Sequence, residues 1–222
     1  MKILIIINVL VYIFVSVWNN YSIETPLELY LIKSNLFDFR ETVHYLGKYY
    51  YLLGIQEGRQ VLGPFGPEDF RAWKIITHFF MHGSWWHLAI NMFVLHNLGR
   101  AVINDWGQKR FVVYYIICGT FGGALVAFLD PTNAPIVGAS GAISAVAFAF
   151  AMLNPEAPMI IFPFPFPIKA KKLMAIFITL SVVFIVFDFA QGISHFGHMA
   201  GLLIGFIFLM ITKWHKVIII RW

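Results

Sequence analysis

GASGAIS, residues 138–144, places a hydroxyl between two glycines at the start of an almost unbroken apolar run. The turn pair Asp130-Pro131 lies just before it. Small residues in such a run are typical of closely packed membrane helices. A serine at a helix N-terminus is also a possible nucleophile. The other residues of the chain are needed to decide whether this stretch serves helix packing or catalysis.

The composition is that of a membrane protein. Of the 222 residues, 59% are hydrophobic and only 12% are charged, and the mean hydropathy is +0.75. A soluble domain carries about 25% charged residues. The net charge of +5 therefore indicates cytoplasmic helix ends rather than a nucleic-acid partner. The single cysteine, Cys118, excludes a disulfide framework within the chain.

Six stretches are predicted to span the membrane, since a spanning helix needs about 20 mostly apolar residues. The first is interpreted as a retained span rather than a removed signal peptide, because it lacks a small-residue cleavage site. The fourth is short for a full crossing, which favours a helix that opens into a water-filled cavity. The predicted fold class is an all-α polytopic membrane protein with these six transmembrane helices: about 2–19, 83–103, 110–129, 139–153, 172–190 and 197–213.

The distribution of basic residues predicts that both termini are cytoplasmic. With the N-terminus inside, the six outer basic residues all lie in one long loop, which contributes little to orientation. The short outer loops hold none. The inner set is Lys2, Arg100, Lys109, Arg110, Lys169, Lys171, Lys172, Lys213, Lys216 and Arg221, and the outer set is Lys33, Arg40, Lys48, Arg59, Arg71 and Lys74.

The chain is predicted to be one membrane domain with a large insertion. Residues 1–19 are the first helix, and residues 20–74 form a long, aromatic outer loop at the membrane interface. Residues 75–213 are the core with helices two to six, and residues 214–222 are a short cytoplasmic tail. The proline-rich stretch 154–168 cannot be helical and is a stiff connector.

Polar side chains inside membrane helices are expensive and are functional candidates. His87 and Asn91 are four apart, so they share one helix face. Ser140 opens the fourth helix and His198 lies near the start of the sixth. All four lie within about two turns of the outer ends of their helices, at about 1.5 Å per residue, so they share one depth.

These residue types are suited to acyl transfer. An imidazole can take the proton of a serine hydroxyl, and an amide, an imidazole N–H and a backbone N–H can donate to an oxyanion. Taken singly, each has a structural alternative: Ser140 in packing, His198 and Asn91 in interhelical hydrogen bonds, and the other histidines in structural or interfacial positions. Those others are His78, His82 and His195.

Three motifs in order resemble those of the rhomboid intramembrane serine proteases, over roughly residues 70–212. Residues 138–141 are similar to the family's GxSG, residues 198–205 to its HxxGxxxG, and residues 87–91 to its HxxxN. The resemblance implies the basic six-helix bacterial form. It also implies a nucleophile at Ser140, a general base at His198, oxyanion or substrate stabilisation by His87, Asn91 and Gly138, and structural support from His82, Trp73, Gly141, Gly201 and Gly205.

Two positions depart from the family pattern. Trp73 is followed by Lys74 where the family usually has arginine, which keeps the charge but loses the planar fork. Position 144 is often an aromatic residue that stacks on the catalytic histidine, and here it is Ser144. Another residue is therefore expected to support His198, and Phe148 lies one turn further along the same face. Asp188 is a further candidate for orienting a histidine.

The predicted function is an intramembrane serine endopeptidase that needs no cofactor and no metal. Its partners would be single-span or multi-span membrane-protein substrates and the lipid bilayer. The resemblance implies cleavage near the outer end of a helix, at small residues near helix-destabilising ones. A prokaryotic inner membrane is expected. The alternatives are a catalytically silent protein that binds transmembrane helices, and a small transporter; the absence of HExxH disfavours a metalloprotease. The phenylalanines of the fifth helix, Phe177 among them, are either a substrate gate or lipid-facing bulk.

Overall fold

The computed structural model of the chain contains six α-helices and two β-hairpins in the residues that it describes. The helices are α1 (Lys2–Tyr21), α2 (Trp85–Trp106), α3 (Gln108–Leu129), α4 (Ser140–Leu153), α5 (Ala170–Val186) and α6 (His195–Thr212). The strands are β1 (Tyr50–Gln56), β2 (Arg59–Pro64), β3 (Pro158–Ile161) and β4 (Phe164–Lys169). The described residues are 1–21, 50–56, 59–64, 76, 78–82, 84–129, 138–161, 164–187 and 194–212.

Each predicted apolar stretch overlaps one helix, and the described residues are mostly helical. They also include two antiparallel hairpins, which the predicted class did not contain. One hairpin, β1–β2, lies within the predicted outer loop. The other, β3–β4, lies in the proline-rich connector, which is not helical, as predicted. Its alternating prolines leave some backbone N–H groups for pairing, so that Pro158 faces Lys169 and Ile161 faces Phe164 across a bulge.

Two helices in the described part of the chain are long and apolar enough to cross a membrane unaided. They are residues Gln108–Val126 of α3 and the whole of α6, while residues Lys2–Phe14 and Ser140–Leu153 are apolar but shorter. At 14 residues, α4 is about 21 Å long, against about 30 Å of hydrocarbon. Six full spans and cytoplasmic termini stay predictions.

The turn between α2 and α3 is tighter than the sequence indicated. Gly107 alone joins the two helices, with φ at 81°, and its N–H donates to the carbonyl of Ile103 at 2.7 Å. That left-handed conformation suits glycine because it has no Cβ. As a result, α2 and α3 run further toward each other than the predicted limits at residues 103 and 110.

Helix α6 packs mainly on α4 and α3. A Cβ at Gly201 would overlap the carbonyl oxygen of Gly141, and a Cβ at Gly122 would lie 3.2 Å from the Cα of Gly201. One turn further, Gly205 lies against Ala145 and the hydroxyl of Tyr114. Gly201 and Gly205, four residues apart on α6, therefore pack closely on α4.

The β3–β4 hairpin is held at the end of α4 by charge. Both Lys169, at 2.6 Å, and Lys171 form ion pairs with Glu156. Hydrogen bonds from Lys169 and Lys171 lower the pKa of the Glu156 carboxyl to about 2. The side chain of Asn154 also donates to Asp105 at 3.0 Å, which links the C-terminal ends of α4 and α2.

Several predicted features lie outside the described residues. They are Trp73 with Lys74, most of the 20–74 loop, the 214–222 tail, and the two acidic residues Asp130 and Asp188. Their predicted roles stay predictions.

Candidate active site

Helix α2 begins so that His87 and Asn91 lie in its first two turns. Ser84 has an extended backbone, and its hydroxyl accepts a hydrogen bond from the N–H of His87 at 3.2 Å. A serine at this position satisfies one of the unpaired N–H groups of the first turn. The local sequence therefore fixes the start of α2, and with it the depth of both polar side chains.

Helix α6 begins in the same manner, with a serine, Ser194, directly before its first residue, His195. The hydroxyl of Ser194 accepts from the N–H of Gly197 at 3.1 Å, and its carbonyl accepts from the N–H of His198 at 3.0 Å. This serine cap places His198 in the first turn of α6. The sequence analysis did not single out Ser194, although a serine just before an apolar run is a helix-start signal.

Ser140 is the first residue of α4. The first N–H groups of an α-helix have no carbonyl partner within the helix, and the helix dipole makes that end positive. A negative charge that developed beside the Ser140 hydroxyl would thus meet unpaired backbone donors. The N–H of Ile143 already donates to the carbonyl of Ala139 at 2.8 Å. The donors available to such a charge are therefore the backbone N–H groups that precede Ile143 in the helix.

Three of the predicted site residues meet at one cavity. Ser140, His198 and Asn91 line the same space of about 280 Å³, although they come from α4, α6 and α2. The other lining residues, apart from Ser144, are apolar; they come from α2, α4 and α5 and continue as far as Met159 and Ala170. The cavity therefore joins a polar end that holds the serine and histidine to a long apolar end.

Asn91 carries an unused hydrogen-bond donor at this site. Its side chain is 6% exposed, and its buried Nδ2 has no hydrogen-bond partner among the described residues. Buried donors are normally paired, so such a group is a candidate for binding a substrate atom. An amide N–H aimed at a developing oxyanion is one recognised use.

Gly138 brings the loop before α4 against α2. Its φ is 103°, and a Cβ there would lie 2.6 Å from Cε1 of His87 and 3.6 Å from Nδ2 of Asn91. Its N–H donates to the carbonyl of His78 at 3.2 Å and is already engaged. Gly138 thus makes room for His87, which does not itself line the 280 Å³ cavity.

The glycine contact between α4 and α6 holds the serine and the histidine near each other. Gly141 follows Ser140 directly, and Gly201 lies three residues after His198. Because these two glycines are in backbone contact, the helices cannot slide apart without loss of packing. Packing and chemistry are therefore not alternatives for the 138–144 stretch, since the glycines pack while the serine faces the cavity.

Two other histidines, His78 and His82, are buried near this site. His82 packs edge-on against His87, with ring centroids 5.2 Å apart. His78 is buried and its ring fills the space beside Gly123. The structural or interfacial roles predicted for both residues stay predictions.

The aromatic partner of His198 is a residue that the sequence analysis placed elsewhere. Phe177 of α5 lies with its ring centroid 5.8 Å from that of His198, at an interplanar angle of 36°. Phe148, the candidate by spacing, packs on Phe206 instead. Seven residues along α5, Phe184 packs on His195 at 4.8 Å. The sequence held a signal for these two contacts. Phe177 and Phe184 are seven residues apart on α5, and His195 and His198 are three apart on α6, so each pair lies on one face of its helix.

Comparison with known proteins relates the chain to one family. A rhomboid domain model matches residues 69–215, about two thirds of the chain. The chain is 25% identical over 146 residues to Rhomboid-like protease 3 of Toxoplasma gondii, covering 62% of this chain and 50% of that protein. It is 30% identical over 146 residues to RHOMBOID-like protein 5 of Arabidopsis thaliana, covering 64% and 46%.

A further relative is the mitochondrial Presenilin-associated rhomboid-like protein of Bos taurus. It is 29% identical over 143 residues, covering 63% of this chain and 37% of that protein. The chain thus spans about half or less of the length of the curated relatives that it matches. The matched part includes all the helices that carry the candidate site.

Proposed function

Because the chain belongs to the rhomboid family, a family of membrane proteins, we propose that it is an intramembrane serine endopeptidase with a Ser140/His198 dyad. The observation that carries the proposal is the single cavity that Ser140, His198 and Asn91 line together. One hydroxyl, one imidazole and one unpaired amide donor are the groups that hydrolysis of a peptide bond requires. The family resemblance of the three motifs supports the same roles.

In the first half of the reaction, the Oγ of Ser140 attacks the carbonyl carbon of the scissile peptide and its proton passes to the imidazole of His198. The carbonyl oxygen becomes an oxyanion, which the Asn91 amide and the backbone N–H groups at the start of α4 stabilise. The C–N bond then breaks, the leaving amine takes the proton from His198, and the acyl group stays on Ser140 as an ester.

In the second half, water attacks the ester carbonyl and gives a proton to His198. A second oxyanion collapses, the proton returns to Oγ, and the new carboxyl end of the substrate leaves. No further co-reactant is needed, since atoms and charge balance with one water per peptide bond. His87 lies beside Gly138 and would contact the substrate near the cut rather than the oxyanion.

The proposed substrates are transmembrane helices of other membrane proteins. The long apolar part of the cavity, lined by α2, α4 and α5, suits an apolar peptide segment. A firmly hydrogen-bonded helix hides its carbonyls, so a substrate with glycine or proline near the cut would be preferred. The compartment stays a prediction, since two of the relatives are named as mitochondrial and chloroplastic.

The test is cleavage of a purified single-span reporter protein by wild-type protein, Ser140→Ala and His198→Ala in detergent. The proposal expects one discrete cut with the wild type, located by intact mass, and none with either variant. A catalytically silent helix-binding protein would instead retain the reporter without cutting it. Cleavage that persisted in Ser140→Ala would refute the proposed nucleophile.

A further inference from the structure

A dyad of serine and histidine has no carboxylate to orient the imidazole, so some other contact must hold it. The Nδ1 atom of His198 is buried and has no hydrogen-bond partner among the described residues. Ser144, which stands where the family often has an aromatic ring, lines the same cavity but has no ring face to offer. The orientation of His198 therefore depends on what packs against its ring.

Two rings contact His198. Phe177 lies at 5.8 Å and 36°, and His195 approaches edge-on at 6.1 Å and 88°. The Phe177 separation is within the range of about 4.5–7 Å at which aromatic pairs attract. It is also within about 6 Å, the distance over which an aromatic ring attracts a cation. Phe177 can thus stabilise the imidazolium that forms when His198 accepts the Ser140 proton.

We propose that Phe177 of α5 is the positioning residue for His198 and takes the part that an aromatic residue at position 144 would otherwise play. The inference rests on the proposed function, because it assigns His198 the general-base role. The orientation of the His198 imidazole then depends on the packing of α5 against α6. In the described part of α5, only Ala170 and Ser181 are buried, so this helix is held by a small contact area.

The competing interpretation is that Phe177 is a gate or lipid-facing bulk. The two interpretations predict different effects on the rate of cleavage when the ring is removed. Removal of a gate widens the cavity and raises the rate of cleavage or leaves it unchanged. Removal of a positioning ring frees the imidazole and lowers kcat. It also lowers the rate of fluorophosphonate labelling, which reports the reactivity of Ser140 and its base, whereas KM is affected separately because Phe177 also lines the proposed substrate cavity.

The experiment compares Phe177→Ala, Phe177→Leu and Phe177→Tyr with the wild type in detergent, by kcat and KM on a reporter substrate and by the rate of fluorophosphonate labelling. Phe184→Ala is the matched control, since it removes the same ring from the same helix, where it contacts His195 rather than His198. Thermal unfolding of each variant separates loss of stability from loss of rate.

The proposal expects kcat and the rate of fluorophosphonate labelling to fall about two- to tenfold in Phe177→Ala and Phe177→Leu, and both to be retained in Phe177→Tyr and Phe184→Ala. It is overturned if Phe177→Ala cleaves at or above the wild-type rate, or if Phe177→Leu matches Phe177→Tyr. If the wild type itself fails to label at Ser140, the proposed function falls and this inference with it. Normal labelling of both wild type and Phe177→Ala overturns this inference alone.

Discussion

Replacement of Gly201 by alanine would push α6 away from α4. The added Cβ would overlap the carbonyl oxygen of Gly141 and lie 2.6 Å from its carbonyl carbon and 3.0 Å from its Cα. These are backbone atoms, so no change of rotamer relieves the overlap. Carbon atoms pack at about 3.5–4.0 Å, and the two helices must therefore separate by about 1 Å.

The expected cost to stability is about 1–3 kcal/mol from overpacking, offset by about 1 kcal/mol because alanine favours the helix more than glycine. The effect on activity is larger. Ser140 precedes Gly141 and His198 lies within one turn of Gly201, so the separation is transmitted to both. A misplacement of about 1 Å in an active site costs about 100-fold in rate.

The assay is the rate of fluorophosphonate labelling of Gly201→Ala, with thermal unfolding in detergent to verify the fold. Leu203→Ala is the matched control, because Leu203 lies on the same helix with a side chain that is 48% exposed, away from α4. The control should label like the wild type. If Gly201→Ala remains folded and also labels at the wild-type rate, the glycine contact does not set the distance between serine and histidine.

Three further changes test separate parts of the account. Asn91→Ala should lower kcat about 100- to 1,000-fold through loss of an oxyanion donor, while Asn97→Ala, which loses only an exposed bond to its own helix, should not; equal rates would remove Asn91 from the oxyanion site. Ser194→Ala should destabilise the protein by about 1 kcal/mol in thermal unfolding by loss of a helix cap, whereas Ser194→Asp should keep the cap; an equal loss in both would contradict that role. The lowered pKa of Glu156, about 2, means that its ion pairs stabilise the fold above pH about 4.5 and lose that contribution as pH falls toward 2. Glu156→Gln should therefore flatten the stability profile in that window, and an unchanged profile would show that the pairs with Lys169 and Lys171 do not form.

The positions of the helices could be predicted because each rests on a local signal. Apolar runs located the six described helices, and the positions of Ser140, His198 and Asn91 along the predicted helices indicated one depth. The hairpins could not be located from hydropathy, because short strands that contain proline show no clear alternation of apolar and polar residues. The single-residue turn at Gly107 depends on one dihedral angle, which the sequence permits but does not require.

The support of His198 shows where the sequence stops being informative. Spacing along α4 pointed to Phe148, because residues four apart share a helix face. The structure brings Phe177 there instead, since α5 packs on α6 with a register that no local pattern encodes. Which residue of another helix contacts a catalytic side chain depends on tertiary packing, and the periodicity of the sequence does not predict that packing.

The most direct test of the central claim is to treat the purified wild-type protein with a fluorophosphonate probe and map the adduct by peptide mass, with Ser140→Ala and His198→Ala in parallel. The account predicts a single adduct on Ser140 and none in either variant. A folded wild-type protein that carries no adduct, or an adduct on another serine, would contradict it.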